Sequence, residues 1–313
     1  MNDFLSPRVV VVGAGAMGSI FGGLLAEGGL DVTLVDIWRE HVEAINANGL
    51  RVVGHGGDRV IPARATSDPS TVHGADVAFF QCKAISNADA ARSVKHLFDN
   101  DRTVAISFQN GLGNEEEIAG ILGEGKVLGG LTAQGANIEA PGVVRNHAEL
   151  PSFIGEMTGG VSDRTRALAS EFSAHGLPTE ASENIRHAIW KKLMANIGVS
   201  GTSAAPNLTL GGIVQVPELE AIAYRAIDEA LAVARAENID LDPDDAREVF
   251  HQITSGTPGN KSSLCVDVVN ERPSEVDYIY GAVIALGARH GIDTPVLQTI
   301  SAVIKGLQSH YGA

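Results

Sequence analysis

Arg8-Val-Val-Val-Val-Gly-Ala-Gly-Ala-Met-Gly18 decides the reading of this chain. Gly13, Gly15 and Gly18 fill a G-x-G-x-x-G pattern directly behind four valines. A second apolar run, Val32-Thr33-Leu34-Val35, ends in Asp36, eighteen residues beyond Gly18. Strand, glycine turn, helix, second strand and terminal acid make up a dinucleotide-binding fingerprint. Gly13 permits the tight turn, Gly15 lets the backbone approach a pyrophosphate, and Gly18 lets the helix pack close to the sheet. Ala14, Ala16 and Met17 complete the turn, and the N–H groups at the helix start bind phosphate. Asp36 accepts hydrogen bonds from ribose hydroxyls and repels a 2′-phosphate. A glycine turn by itself also links ordinary strands and helices. Here the valine run, the spacing and Asp36 agree.

Working outward, short β-like runs alternate with helical patterns through the first half. Val9–Val12, Val32–Val35, Asp76–Gln81 and Thr103–Phe108 read as strands, and Ala16–Glu27, Glu40–Asn48, Asn87–Phe98 and Asn114–Leu122 as helices. That alternation predicts an α/β fold with a parallel, doubly wound sheet. After Val127 the texture changes: Val127–Thr132, the stretch to Asn146 through Pro141-Gly142, and Ser152–Gly155 look like strands and turns that extend the sheet or cover its edge. From about Glu183 the chain reads as helices at Ile185–Ser200, Glu218–Glu237, Pro243–Ser255, Pro273–His290 and Pro295–His310. Asp242 before Pro243 is a good N-cap. Val276, Ile279, Tyr280, Val283 and Leu286 trace one helix face, with Pro273 in its first turn and Gly291 as its stop. Two domains follow, residues 1–182 binding a dinucleotide and residues 183–313 forming an all-helical substrate and dimerisation domain. The active site is expected in the cleft between them, at the carboxyl ends of the strands.

Composition narrows the partners. The chain has 313 residues and a net charge of −15, which argues against nucleic acid or an anionic membrane surface as partner. An anionic substrate therefore needs a local basic group. Two isolated cysteines, Cys82 and Cys265, make neither a disulfide framework nor a zinc site, and Cys82 reads as a buried thiol. No cluster has metal-ligand spacing, so no metal is expected. Only Met1-Asn2-Asp3-Phe4-Leu5-Ser6-Pro7 precedes the first strand, and no apolar run is long enough to span a bilayer. A reducing cytoplasm is the expected location.

Several residues carry candidate chemistry. Lys83 and Asn110 each lie just past a strand end, where ligands bind in such sheets. The plainer readings are a solvated lysine and an Asn-Gly turn. In Ile185–Asn196 the residues Ile189, Leu193 and Ile197 share one helix stripe, and Lys192, Asn196 and Ser200 form a parallel polar one. A lysine beside an apolar stripe in a cleft loses solvation, its pKa falls, and it becomes a usable proton donor. Carbonyl reduction needs such a donor, because hydride arrival leaves an alkoxide. Taken alone, Lys191-Lys192 also fits a solvated face. Gly256–Ser263 reads as a loop entering a helix, suited either to an anion or to simple capping by Ser262 or Ser263. Glu275 falls in a first helical turn, where interaction with the helix dipole is the plainer account.

Taken together these stretches resemble the ketopantoate reductase family over essentially the whole length. The carriers are Gly13–Gly18, Cys82-Lys83, Gln109–Gly111, Ala140–Val144, Trp190-Lys-Lys-Leu193 with Asn196, Asn260-Lys-Ser-Ser263 and Glu275-Val-Asp-Tyr-Ile279. The resemblance implies a Rossmann-type domain followed by a helical domain like the C-terminal one of 6-phosphogluconate dehydrogenase. It implies NAD(P)H-dependent reduction of a 2-oxo acid, ketopantoate or a branched or aromatic relative, to the 2-hydroxy acid. It makes Lys192 the general acid and gives Glu275 the orienting of the substrate oxygen. Asn110 and Asn196 would hold substrate, Ser263 with Asn260 would bind its carboxylate, and Lys83 would sit beside cofactor and substrate.

Two positions depart from the family pattern. NADPH-using members carry an arginine just past the second strand; here Asp36-Ile37-Trp38-Arg39 places an acid first, which by charge favours NADH. The pantoate-making pattern has a second asparagine at the position of Ser200, and a serine is shorter with fewer hydrogen-bonding groups. The tail pocket is therefore expected to differ. A dehydrogenase of phosphorylated polyols would need a cluster of basic groups, which the second domain lacks. A non-enzymatic dinucleotide sensor would be favoured by loss of the lysine or glutamate, and both are present. A homodimer through the apolar helices is a further expectation.

Overall fold

A computed structural model describes residues 4–311. Met1, Asn2 and Asp3 of the short leading segment lie outside the described residues. The chain divides into two compact units, one of residues up to Gln109 with Asn114–Ile185, the other of Asn110–Gly113 with Arg186 onward.

The first unit opens β1 (Val9–Val12), α1 (Ala16–Glu27), β2 (Val32–Val35), α2 (Arg39–Asn48). Three short strands follow, β3 (Leu50–Gly54), β4 (Arg59–Ile61) and β5 (Arg64–Thr66). Then come β6 (Val77–Phe80), α3 (Asn87–Val94), β7 (Val104–Ser107), α4 (Asn114–Leu122) and β8 (Val127–Thr132). The unit ends with β9 (Ala136–Ala140), β10 (Val143–Asn146), β11 (Ser152–Glu156), α5 (Asp163–Ala174) and β12 (Thr179–Ala181). Eight strands form one sheet in the order β12-β11-β8-β7-β6-β1-β2-β5, parallel except for the β8/β11 pair. The chain leaves β1 toward β2 on one side and returns to β6 on the other. The topological switch therefore falls at β1, directly before the glycine turn.

Alternation along the strands builds both layers of the core. Val9, Val11 and Phe79 face one side, with Phe21, Phe108 and Phe172 edge-on around Phe79. Val10, Val12 and Phe80 face the other, against Ala91, Phe98 and Ile118. Burial on both faces is why these strands read as unbroken apolar runs.

The stretch after Val127 does two things. β8 and β11 extend the main sheet, whereas β9 and β10 join β3 and β4 in a second, four-stranded sheet. Of the predicted helix Asn87–Phe98, only Asn87–Val94 is α-helical, and Lys95–Phe98 tightens to a 3-10 turn. Cys82 lies past the end of β6 and is half-buried rather than buried, because the strand stops at Phe80.

The second unit is helical: α6 (Ile185–Ala204, starting at the boundary), α7 (Leu210–Val214), α8 (Pro217–Ala236), α9 (Pro243–Gly256) and α10 (Ser263–Val269). A π-turn over Asp277–Gly281 then leads into α11 (Ala282–His290), and α12 (Pro295–Gln308) follows. Asp242 caps α9 through the N–H groups of Asp244 and Asp245. Trp190, Leu193, Met194 and Ile197 of α6 pack into a core with Ile227, Phe250, Tyr280 and Ile300. The predicted face of Val276, Ile279, Tyr280 and Val283 is buried. Its helix, however, does not begin at Pro273: Pro273 and Glu275 both precede the first helical residue, Val276. No helix among the described residues is long and apolar enough to cross a membrane.

Candidate active site

The glycine turn separates the jobs of its three glycines. Gly13 turns at φ +97, and a Cβ there would run into the backbone of Cys82. A Cβ on Gly18 would run into the Gly13 carbonyl oxygen. Both glycines therefore serve chain packing. A Cβ on Gly15 would meet nothing within 4 Å, so this glycine keeps clear a space outside the protein. Gly15 is also the N-cap of α1, with no side-chain cap and no acidic residue in the first turn. Such a helix start, with backbone N–H groups unscreened by a local carboxylate, fits a pyrophosphate. Ala14 is buried under the turn, while Ala16 and Met17 are half-buried at the helix start.

Asp36 follows β2 and accepts the Trp38 N–H at 2.9 Å. Trp38 lies parallel over the ring of His41, with centroids 5.0 Å apart and 11° between planes. His41 is fully buried in α2. The Gly142 N–H donates to its Nδ1 at 3.0 Å, and its Nε2 meets the Ser19 hydroxyl at 3.2 Å. Ser19 in turn donates to the Ala14 carbonyl at 2.8 Å. An accepting Nδ1 makes the ring neutral with its proton on Nε2. Burial agrees, lowering the pKa against the opposing pull of Asp36. This buried link from the glycine turn to the loop after β2 carried no pattern that would flag His41 in the sequence.

The ends of β6 and β7 hold a polar network. Gln109 Nε2 donates to the Cys82 carbonyl at 2.7 Å and to Asn87 Oδ1 at 2.5 Å, and Asn87 donates to Asn114 Oδ1 at 2.9 Å. Ser107 donates to Gln109 Oε1 at 3.2 Å and also bonds Glu115. Glu115 is buried in α4, and burial pushes its carboxyl up to about 8. Lys83, exposed, begins the 3-10 turn Ala84–Ser86 beside this network.

In the helical unit, Lys192 and Asn196 of α6 are half-buried and Ser200 is buried, so the polar stripe descends into the unit. Burial lowers the Lys192 ammonium to about 8, and Glu275 opposes that shift. The fold thus brings together the lysine and the glutamate, 83 residues apart in the chain, with Glu275 itself buried. Asn110 belongs to this unit as well. The Leu112 N–H donates to the Tyr278 carbonyl at 2.9 Å, and Gly111, at φ +94, lies against the same residue. Asn110 opens a bend of the chain, Asn110–Gly113, that is anchored three residues past Glu275.

Asn260 and Ser263 are exposed at the start of α10. Ser262 is the cap, accepting the Cys265 N–H at 3.1 Å and meeting Ser203 of α6 at 2.8 Å. The Asn260 carbonyl accepts the Leu210 N–H at 2.7 Å, which ties the loop to α7.

A Rossmann sheet with its glycine turn at the switch point, and a helical unit that pairs a low-pKa lysine with a buried carboxylate, define a two-domain nucleotide-dependent oxidoreductase. Comparison with known proteins makes this specific. The family model described as "Ketopantoate reductase PanE/ApbA" matches residues 9–159, and its C-terminal counterpart matches residues 184–308. A 2-dehydropantoate 2-reductase of Halobacterium salinarum is 33% identical over 95% of this chain and 98% of its own. That of Archaeoglobus fulgidus is 33% identical over 96% and 98%. Among solved structures, a PanE/ApbA family ketopantoate reductase from Ralstonia eutropha superposes with a TM-score of 0.90 at 31% identity, covering 98% of this chain and all of that one. D-mandelate dehydrogenase in complex with NADH and anilino(oxo)acetate shares the fold, with a TM-score of 0.91 at 24% identity and the same coverage. The chain belongs to the ketopantoate reductase family.

Proposed function

We propose that this protein reduces a 2-oxo acid to the 2-hydroxy acid with NADH as the preferred donor. The observation that carries the reading is Lys192, brought to about 8 by burial beside Glu275. At neutral pH it is charged enough to attract an anionic substrate and weak enough to release a proton. The reduced nicotinamide supplies a hydride when bound. Lys192 Nζ donates its proton to the carbonyl oxygen as the carbon becomes tetrahedral, and takes it back in the oxidative direction. Glu275 orients the substrate oxygen, Asn110 and Asn196 hold substrate, and Asn260 with Ser263 receive the carboxylate.

The dinucleotide would lie along Gly13–Gly18, with Gly15 leaving room for the pyrophosphate, and would be flanked by Lys83 and Asn110. Asp36 supports NADH over NADPH, because a carboxylate at the ribose repels a 2′-phosphate. Ser200 supports a tail other than that of ketopantoate. A homodimer and a cytoplasmic location belong to the same reading. The dimer rests on apolar residues exposed on α10 and α12, Val266, Val269, Val303 and Leu307.

A panel of 2-oxo acids assayed with NADH and NADPH in parallel tests the proposal. Turnover of a branched or aromatic 2-oxo acid with NADH is the expected result. A strong NADPH preference would overturn the role of Asp36, and activity on ketopantoate alone would overturn that of Ser200.

A further inference from the structure

Tyr280 is fully buried, and its hydroxyl occupies an unusual place. It accepts the Gly201 N–H at 2.7 Å and donates to the Ile197 carbonyl at 2.8 Å. Those are the two groups that an α-helix pairs with each other, i to i−4. Gly201 makes the approach possible, since a Cβ there would lie 2.9 Å from the phenolic oxygen. The neighbouring rungs are treated alike. Thr202 Oγ1 donates to the Gly198 carbonyl at 2.5 Å, and Ser203 Oγ to the Ser200 carbonyl at 3.1 Å. One turn of α6, directly after Asn196 and including Ser200, thus gives three carbonyls to side-chain hydroxyls. Hydroxyls drawing on helical carbonyls, and side chains entering the ladder, are recognised causes of helix bending.

The other end of this contact is just as specific. Tyr280 lies in the Asp277–Gly281 π-turn, a rare element that recurs at functional sites. The Glu275 carbonyl accepts the N–H groups of Tyr278 and Ile279, at 3.1 and 3.0 Å, so the turn is built on the residue beside Lys192. Its Tyr278 carbonyl holds the Asn110–Gly113 loop. The π-turn therefore grips α6 through Tyr280 and the asparagine loop through Tyr278.

We propose that Tyr280 is a positioning residue that sets the local geometry of α6 at Ile197–Gly201, and through it the depth and selectivity of the pocket for the substrate tail. The inference rests on the 2-oxo-acid reading of this unit. Lys192 lies one turn before Asn196, and the turn held by Tyr280 lies after it. The hydroxyl therefore governs where Asn196 and Ser200 stand, while Lys192 keeps its place beside Glu275. Without the hydroxyl, the Ile197 carbonyl and the Gly201 N–H lose their shared partner, and this turn of α6 is free to shift.

The test compares wild type with Tyr280→Phe over the 2-oxo-acid panel. The expected result is a KM for the best substrate raised about tenfold or more, with preference among tails flattened. NADH affinity, and the pH near 8 at which reduction declines, stay unchanged. Wild-type KM and selectivity in the variant would overturn the proposal, as would a loss of kcat and melting temperature with selectivity intact. Thr202→Val, nearly isosteric and removing one hydroxyl from the same turn, is expected to move selectivity in the same direction by less. Should Tyr280→Phe fail to fold, an unaltered Thr202→Val profile would overturn the proposal. Failure of the underlying reading looks different: wild type itself would turn over no 2-oxo acid with either dinucleotide, and the inference would fall with it.

Discussion

Burial holds the Lys192 ammonium near pH 8, and in the proposed mechanism the proton it releases is the one reduction consumes. Its folded pKa lies below the usual 10.5, so the protonated donor is lost as pH rises through about 8. Reduction rates are accordingly expected to fall across that pH, and oxidation of the 2-hydroxy acid to rise. Stopped-flow or steady-state pH profiles check both limbs. Glu275→Gln removes the neighbour that raises the Lys192 pKa, so the decline should move to lower pH. Lys192→Ala should lower kcat by about 10²–10⁴ while leaving NADH affinity intact. Near-wild-type turnover would refute the assigned role. At Asp36 the issue is charge. Asp36→Asn removes the repulsion of a 2′-phosphate and should raise the NADPH-to-NADH ratio of kcat/KM by about tenfold. Asp36 is legible in the sequence by its distance from Gly18, whereas the stripe alone also fits a solvated face and the family resemblance is what singles out Lys192, together with Glu275. That Glu275 acts on the Lys192 pKa is not legible there, since only folding brings the two together.

The glycine turn, as an element, makes opposite predictions for two glycines in one motif. Gly15 has an extended backbone, φ −62 and ψ −166, and open space beside it. Gly15→Ala should therefore keep its melting temperature but weaken NADH binding about tenfold or more, because the methyl occupies the pyrophosphate's space. Gly18→Ala drives a Cβ into the Gly13 carbonyl and should destabilise the fold by about 1–3 kcal/mol. Calorimetry together with NADH titration separates the two. Elements with strong local signals were readable: α1 and α4 match their sequence ranges. β3, β4 and β5 were not, because they are three to five residues long and β3 pairs with β10, Arg51 opposite Val143. The start expected for the helix Pro273–His290 differs for a related reason. Pro273 is compatible with a first turn, but the helix begins at Val276 and first passes through a π-turn in which Tyr280 reaches α6.

For the molecule as a whole, two buried groups in the sheet unit oppose each other in pH. His41 is neutral in the folded chain with its pKa lowered from the usual 6.5, so its contribution is present above that value and lost on acidification. Glu115 is raised from the usual 4.5 to about 8, so the folded chain keeps it protonated while the unfolded chain does not. Its contribution is full below 4.5 and lost as pH rises through about 8. Glu115→Gln, an isostere of the protonated acid, should gain stability relative to wild type across that rise, by on the order of a few kcal/mol. Denaturant melts at acid and alkaline pH measure it, and a pH-independent difference would show that Glu115 is charged in the fold. The sequence by itself determined the α/β class, the dinucleotide turn and the polar stripe of α6, because each is written in short-range spacing. Tertiary structure alone decided the second sheet, the pairing of Lys192 with Glu275, the neutral His41 link and the Tyr280 contact with α6. Each of those joins segments distant in the chain, and their energies depend on burial and on hydrogen-bond partners that exist only once the chain has folded.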